Sequence, residues 1–112
     1  MTELRERHCT PSKEGAKALT AEQARELLAG LHADWRLDAD ATGIRRDFRF
    51  PDFYRTMGFV NAIAHVANVE DHHPDLEVGY GYCRVRFSTH DVKGLSENDF
   101  ICAAKVDALA GG

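Results

Sequence analysis

Three of the six histidines in this chain fall in two short segments, Asp71-His72-His73-Pro74 and Ser88-Thr89-His90-Asp91. Imidazole changes protonation state near neutral pH, and a carboxylate or hydroxyl beside it fixes its tautomer and its charge. His72, His73 and His90, with Asp71, Ser88, Thr89 and Asp91 around them, therefore form a candidate acid/base site if folding brings the two segments together. Taken alone a His-His pair has an ordinary structural reading, one ring solvated and the other hydrogen-bonded.

Two other chemistries compete with proton transfer. Three histidines can hold a zinc ion with one open position. Adjacent residues rarely aim both side chains at one ion without a sharp bend, and neither a ligating cysteine pair nor an HExxH pattern is present, so no metal is expected. Nucleophilic catalysis needs a positioned Ser or Cys, but Cys83 occupies an inward strand position and Ser88 a strand end with no elbow motif.

The flanking sequence has to position these residues. Thr20-Ala-Glu-Gln23 has the form of a capping box, and Ala24, Leu27, Leu28 and Leu31 follow at the spacing of one helix face, predicting a first helix that ends near a solvent-facing His32. Trp35 and Leu37 alternate with charged residues, and Ile44 to Phe50 alternates again after Asp40-Ala-Thr-Gly43, which predicts a hairpin. Arg46 breaks the inward pattern and suggests a strand end or an edge where a long side chain reaches solvent. Asp52 is the expected N-cap of a second helix, whose apolar face is read as Phe53, Met57, Val60, Ile63, Ala64 and Ala67, with His65 packing or partly exposed. That face, with its small residues, could also pack against a second subunit.

The second helix must end before Pro74, because the residue preceding proline is pushed out of the helical region. Leu76, Val78 and Tyr80 then alternate, and Cys83, Val85 and Phe87 alternate in the opposite phase, with a turn or bulge at Gly81-Tyr82. An antiparallel return brings the chain back to its start, so His90 is expected at the same end of the sheet as His72 and His73. Ser96-Glu-Asn-Asp99 resembles a capping arrangement for a third helix. The order α-β-β-α-β-β-α predicts an α+β fold: a four-stranded antiparallel sheet with three helices on one face.

Composition narrows the class further. A chain of 112 residues with 44% hydrophobic and 29% charged residues supports one core, and a formal charge of -4 lacks the basic excess that phosphate neutralisation needs, so direct nucleic-acid binding is not expected. The charged N-terminus is unlike a signal peptide and no apolar run approaches the ~18 residues that span a bilayer, so no membrane association is expected. Cys9, Cys83 and Cys102 are odd in number and have no CxxC spacing, which fits a reducing, cytoplasmic setting. Residues 1–18 lack apolar periodicity and are read as a flexible N-terminal arm; His8 and Cys9, within it, are too few to make a metal site.

Asp71-His-His-Pro74, Tyr80, Ser88-Thr-His-Asp91 and Gly94-Leu-Ser-Glu-Asn-Asp99 together resemble the pterin-4a-carbinolamine dehydratase family, as does Phe50-Pro-Asp-Phe-Tyr-Arg-Thr-Met-Gly-Phe59. The likeness runs over roughly residues 19 to 110, making 19–112 a dehydratase-like domain. It implies dehydration of 4a-hydroxytetrahydropterin to quinonoid dihydropterin, which recycles the pterin cofactor of aromatic amino-acid hydroxylases, with no metal or cofactor of its own. By matching positions it implies that His72 and His90 are the acid/base pair and that His73 binds and orients the pterin. Asp71, Ser88, Thr89 and Asp91 line the site. Asp99 matches a family position and is equally read as a carboxylate stabilising the third helix.

The chain departs from the family pattern at three places. Asn68 stands where a carboxylate often precedes the first histidine, Leu76 where an aromatic often follows, and Gly81 in place of a common asparagine. The resemblance also implies a homodimer or homotetramer. The alternative reading is a binding or assembly module of the same fold, a transcriptional dimerisation cofactor or an enzyme-assembly factor.

Overall fold

The computed structural model describes residues 3–111; Met1 and Thr2 of the expected arm and Gly112 of the expected domain lie outside them. Among the described residues the chain forms α1 (Ala21–Leu28), β1 (Arg36–Leu37), β2 (Ile44–Arg49), α2 (Phe53–Glu70), β3 (Asp75–Gly79), β4 (Tyr82–Phe87) and α3 (Glu97–Leu109), with 3-10 turns at Leu4–Glu6 and His90–Val92. The sheet is antiparallel throughout, in the order β1-β2-β4-β3. The α+β class, the four strands and the element order are those that the hydrophobic periodicity predicts.

Local chemistry sets the helix starts. Gln23 N–H donates to Thr20 Oγ1 (3.1 Å) and Thr20 N–H to Gln23 Oε1 (2.9 Å), a reciprocal capping box for α1. Asp52 Oδ1 accepts from Arg55 N–H (2.8 Å) at the start of α2. α1 stops at Leu28, short of the His32 expected from the leucine spacing, and single hydrogen bonds from Gly30 and Leu31 N–H carry the chain out of the helix.

The core lies between the sheet's inner face and the helices. Ile44 and Phe48 of β2 and Cys83, Val85 and Phe87 of β4 meet Phe59 and Ile63 of α2 and Phe100, Cys102, Ala103 and Val106 of α3. The buried stripe of α2 is Thr56, Phe59, Ile63, Ala67 and Glu70. This corrects the face read from sequence: Phe53 and Ala64 lie on the exposed side, and Phe59, absent from that face, packs its ring 4.6 Å from Phe48 and 5.2 Å from Phe50. The apolar residues of α2 extend beyond one stripe, so periodicity alone did not rank its faces.

Two strand readings also change. The β3–β4 turn is Tyr80-Gly81, and Tyr82 already belongs to β4, opposite Gly79. Tyr80 is exposed and stacks on Phe53, with 6.4 Å between the rings. Arg46 does not reach for solvent: it turns inward from β2, and its Nη1 donates to Asp107 Oδ1 of α3 at 2.6 Å. The same Asp107 accepts from Trp35 Nε1 (2.7 Å) and from His32 N–H (3.0 Å), so one buried carboxylate ties α3 to β2 and to the segment before β1.

Candidate functional site

The site forms where α2 gives way to β3 and β4 gives way to α3. α2 ends on Asp71, in the left-handed region at φ 50°, and both Asp71 and His72 N–H groups close back on the Ala67 carbonyl. A non-glycine residue there costs about 1–2 kcal/mol, and Asp is among the few types that adopt it readily. The reversal separates His72 from His73: His72 turns inward and half-buried, whereas His73 is exposed, its Nε2 3.1 Å from Asn68 Oδ1.

β3 and β4 pair with Asp75 opposite Arg86. The His72–Pro74 segment therefore enters the sheet at the end where Phe87, Ser88, Thr89 and His90 leave it. The spatial closure expected from an antiparallel return is present in this register. The His72 ring stacks nearly parallel on Phe87, at 6.1 Å and 9°.

The side chain that meets His72 is Asp99. Its Oδ1 lies 2.6 Å from His72 Nε2, and the carboxylate is fully buried. Its Oδ2 accepts from Thr89 Oγ1 (2.7 Å) and from Ser96 N–H (3.0 Å), and the Thr89 and Ser96 hydroxyls lie 2.7 Å apart. One oxygen of Asp99 fixes the start of α3, the structural role read from its sequence position, and the other faces the histidine. A carboxylate with both oxygens engaged is held in one rotamer, and so is the ring it touches.

Electrostatics follow from this contact. Burial alone disfavours a charged imidazole, yet the Asp99 hydrogen bond and charge, with Cys9 and Asp71 further off, hold the His72 pKa above its ordinary value. The contact thus favours the protonated form of His72.

The remaining expected residues are more open. His90 and Asp91 are exposed on the 3-10 turn, and Asp71 is exposed beside His72. Ser88 Oγ lies 3.4 Å from Arg86 Nη1, and Thr89 faces inward to Asp99 instead of lining an open surface. Among the described residues no hydrogen bond links the His90 ring to His72 or His73, and no three His, Cys, Asp or Glu side chains are grouped as ligands for a metal ion. His65 and His32 are exposed and lie outside this cluster.

Sequence reasoning missed Phe87 as the platform under His72, and Glu70. Glu70 ends α2 buried, its Oε1 accepting from Cys9 N–H (2.7 Å) and its Oε2 lying 2.8 Å from His8 Nδ1 and 3.7 Å from Lys105 Nζ. Burial opposes ionisation of Glu70, but Cys9 N–H, His8 and Lys105 together keep its pKa below the usual carboxylate value. No helical or strand period in residues 3–18 signals this packing.

The structure is an α+β domain with a buried carboxylate meeting a histidine at the paired ends of two strands, and comparison with known proteins gives its family. The family described as "Pterin 4 alpha carbinolamine dehydratase" matches residues 17–109, and the chain belongs to that family. It is 53% identical over 108 residues to the "Putative pterin-4-alpha-carbinolamine dehydratase" of Legionella pneumophila (strain Corby), covering 96% of each chain. It is 54% identical over 107 residues to the protein of the same name from Nitrosomonas europaea, covering 96% of this chain and 93% of that one.

Among solved structures, a transcriptional coactivator/pterin dehydratase from Brucella melitensis superposes with a TM-score of 0.80 at 34% identity, over 85% of this chain and 100% of that one. A pterin dehydratase-like protein identified as a RuBisCO assembly factor in the alpha-carboxysome superposes with a TM-score of 0.63 at 27% identity, over 72% of this chain and 94% of that one. No helix among the described residues is long and apolar enough to cross a membrane.

Proposed function

We propose that this protein dehydrates a 4a-hydroxytetrahydropterin to the quinonoid dihydropterin by histidine acid/base catalysis, in support of an aromatic amino-acid hydroxylase. The observation that carries the proposal is the 2.6 Å contact between His72 and buried Asp99. A carboxylate so placed holds a cationic imidazole in a fixed orientation, which is what a proton donor needs.

The reaction balances with two proton transfers. The His72 imidazolium protonates the C4a hydroxyl, the C–O bond breaks, and water leaves. His90, exposed on the 3-10 turn that follows β4, takes the proton from N5 as the C=N bond forms. Exchange with solvent returns both rings to their starting states. His73, exposed and steadied by Asn68, orients the pterin, with Asp71, Ser88 and Asp91 around it. Asp99 is a positioning residue acting through His72, and Thr89 steadies Asp99.

Self-association accompanies this reading, because Phe53, Tyr54 and Val69 are exposed on α2 and β3 is an edge strand. The second reading, a non-catalytic binding or assembly module, draws on likeness to the carboxysome assembly factor and on the exposed Phe53–Tyr80 pair. Absorbance-monitored loss of the 4a-carbinolamine separates the two. The dehydratase reading expects the purified protein to accelerate that loss over the buffer reaction, and an unaccelerated reaction across neutral pH would favour the binding module.

A further inference from the structure

Two cysteines that the proton chemistry does not use stand with their Sγ atoms 3.4 Å apart: Cys9, half-buried on the N-terminal segment, and Cys102, fully buried on α3. They are 93 residues apart in sequence, and the contact is held from several sides. Cys9 N–H donates to Glu70 Oε1 at 2.7 Å, and Cys9 Sγ lies 3.6 Å from the Asn98 carbonyl. Thr10 N–H donates to Asn98 Oδ1 (3.1 Å), and Asn98 Nδ2 donates to the Thr10 carbonyl (2.7 Å). A disulfide needs S–S of about 2.05 Å, so closure asks for roughly 1.4 Å. Residues 7–13 are in neither helix nor strand and can supply it without breaking regular structure.

We propose that Cys9 and Cys102 are a peroxide-sensitive thiol pair, in which Cys9 is oxidised by a hydroperoxide and Cys102 resolves it to an intramolecular disulfide fastening the N-terminal segment to α3. In the first step the Cys9 thiolate attacks an oxygen of hydrogen peroxide. The S–O bond forms, the O–O bond breaks, and the departing hydroxide takes a proton to become water; sulfur is oxidised and the peroxide reduced. In the second step the Cys102 sulfur attacks Cys9 Sγ, the S–S bond forms, and the hydroxyl leaves with the Cys102 proton as a second water.

The local chemistry assigns the roles in that order. The sulfur–sulfur contact with Cys102, with the charges of His72 and Lys105, outweighs burial and the charge of Glu70 and draws the Cys9 pKa below the ordinary thiol value. The same contact, burial and the negative charges of Cys9, Glu70 and Asp99 push Cys102 up. Cys83, buried in β4 and pushed up to about 11 by burial, stays reduced.

The pair also touches the site electrostatically. The charges facing His72 are Asp99 from α3, Asp71 beside it and Cys9 from the N-terminal segment. A Cys9 thiolate favours the cationic form of His72, and a disulfide cannot carry that charge.

The test treats the reduced full chain with limiting hydrogen peroxide at neutral pH, followed by intact mass and peptide mapping. The expected result is a loss of two hydrogens, a Cys9–Cys102 linked peptide reversed by dithiothreitol, and an alkylatable Cys83. In Cys102→Ser, dimedone should trap a sulfenic acid on Cys9; in Cys9→Ser, oxidation of Cys102 should slow by at least about tenfold. Chain-to-chain linkage through Cys9, or undiminished oxidation of Cys102 in Cys9→Ser, would overturn the proposal.

Discussion

Asp99 divides its two carboxylate oxygens between His72, at 2.6 Å, and the start of α3, where Oδ2 accepts from Thr89 and Ser96. The groups that orient the histidine and the groups that hold the third helix are thus the same atoms. Substituting Asp99→Ala is expected to destabilise the fold by about 1–3 kcal/mol, the cost of leaving the Thr89 hydroxyl and the Ser96 N–H without their acceptor. Asp99→Asn should preserve most of that stability and still lower the His72 titration. Urea unfolding together with NMR titration of the ring checks both, and an Asn variant with an unshifted His72 would detach the carboxylate's charge from the histidine.

Asp107 is expected to be the second sensitive carboxylate, for stability alone. Its removal leaves Arg46, whose side chain is 11% exposed, without a counter-ion and Trp35 Nε1 without an acceptor. Asp107→Ala should cost about 3–5 kcal/mol in urea unfolding. Arg46→Met, which removes the charge and keeps the bulk, should cost less; the opposite ranking would assign the loss to packing of the arginine stem.

Much of this architecture is legible in the chain. The capping residues Thr20, Asp52 and Ser96 and the alternation of Cys83, Val85 and Phe87 were enough to place three helices and two hairpins, because these are local signals. What was not legible is tertiary. Arg46 read as solvent-bound because its partner Asp107 lies 61 residues on; Phe59 was passed over because α2 carries apolar residues on more than one face. Asp99 could be read as a helix residue or a site residue but not as both, since its contact with His72 depends on how α3 docks beside the β4 exit. The packing of His8 and Cys9 against Glu70 left no periodic trace.

The pH dependence of stability should fall away on both sides. The His72 pKa is raised by folding, so its contribution is fully present below its ordinary value of 6.5 and is lost as pH rises through the higher folded-state value. The Glu70 pKa is lowered, so its contribution is present above its ordinary value of 4.5 and is lost as pH falls through the lower folded-state value. Thermal unfolding of wild type, His72→Gln and Glu70→Gln across pH 3 to 9 checks the assignment. The Gln variants should flatten the alkaline and acidic limbs respectively, and limbs unaltered by either change would place the titrating groups elsewhere.

Self-association has a direct readout. Light scattering across micromolar concentrations should give at least twice the 12.5 kDa chain mass. Charge introduced on the exposed side of α2, as in Val69→Lys, should lower that mass if the helix is the interface. A wild-type mass of one chain at every concentration contradicts the proposal.

The central claim is that His72 and His90 carry the two proton transfers. It is tested most directly by single-turnover loss of the 4a-carbinolamine in His72→Ala, His90→Ala and His65→Ala, each first shown to be folded. The account expects His72→Ala and His90→Ala to slow the reaction by about 10²–10⁴-fold, the range that positioned acid/base groups supply, and His65→Ala to leave it unchanged. A wild-type rate in either of the first two contradicts the account.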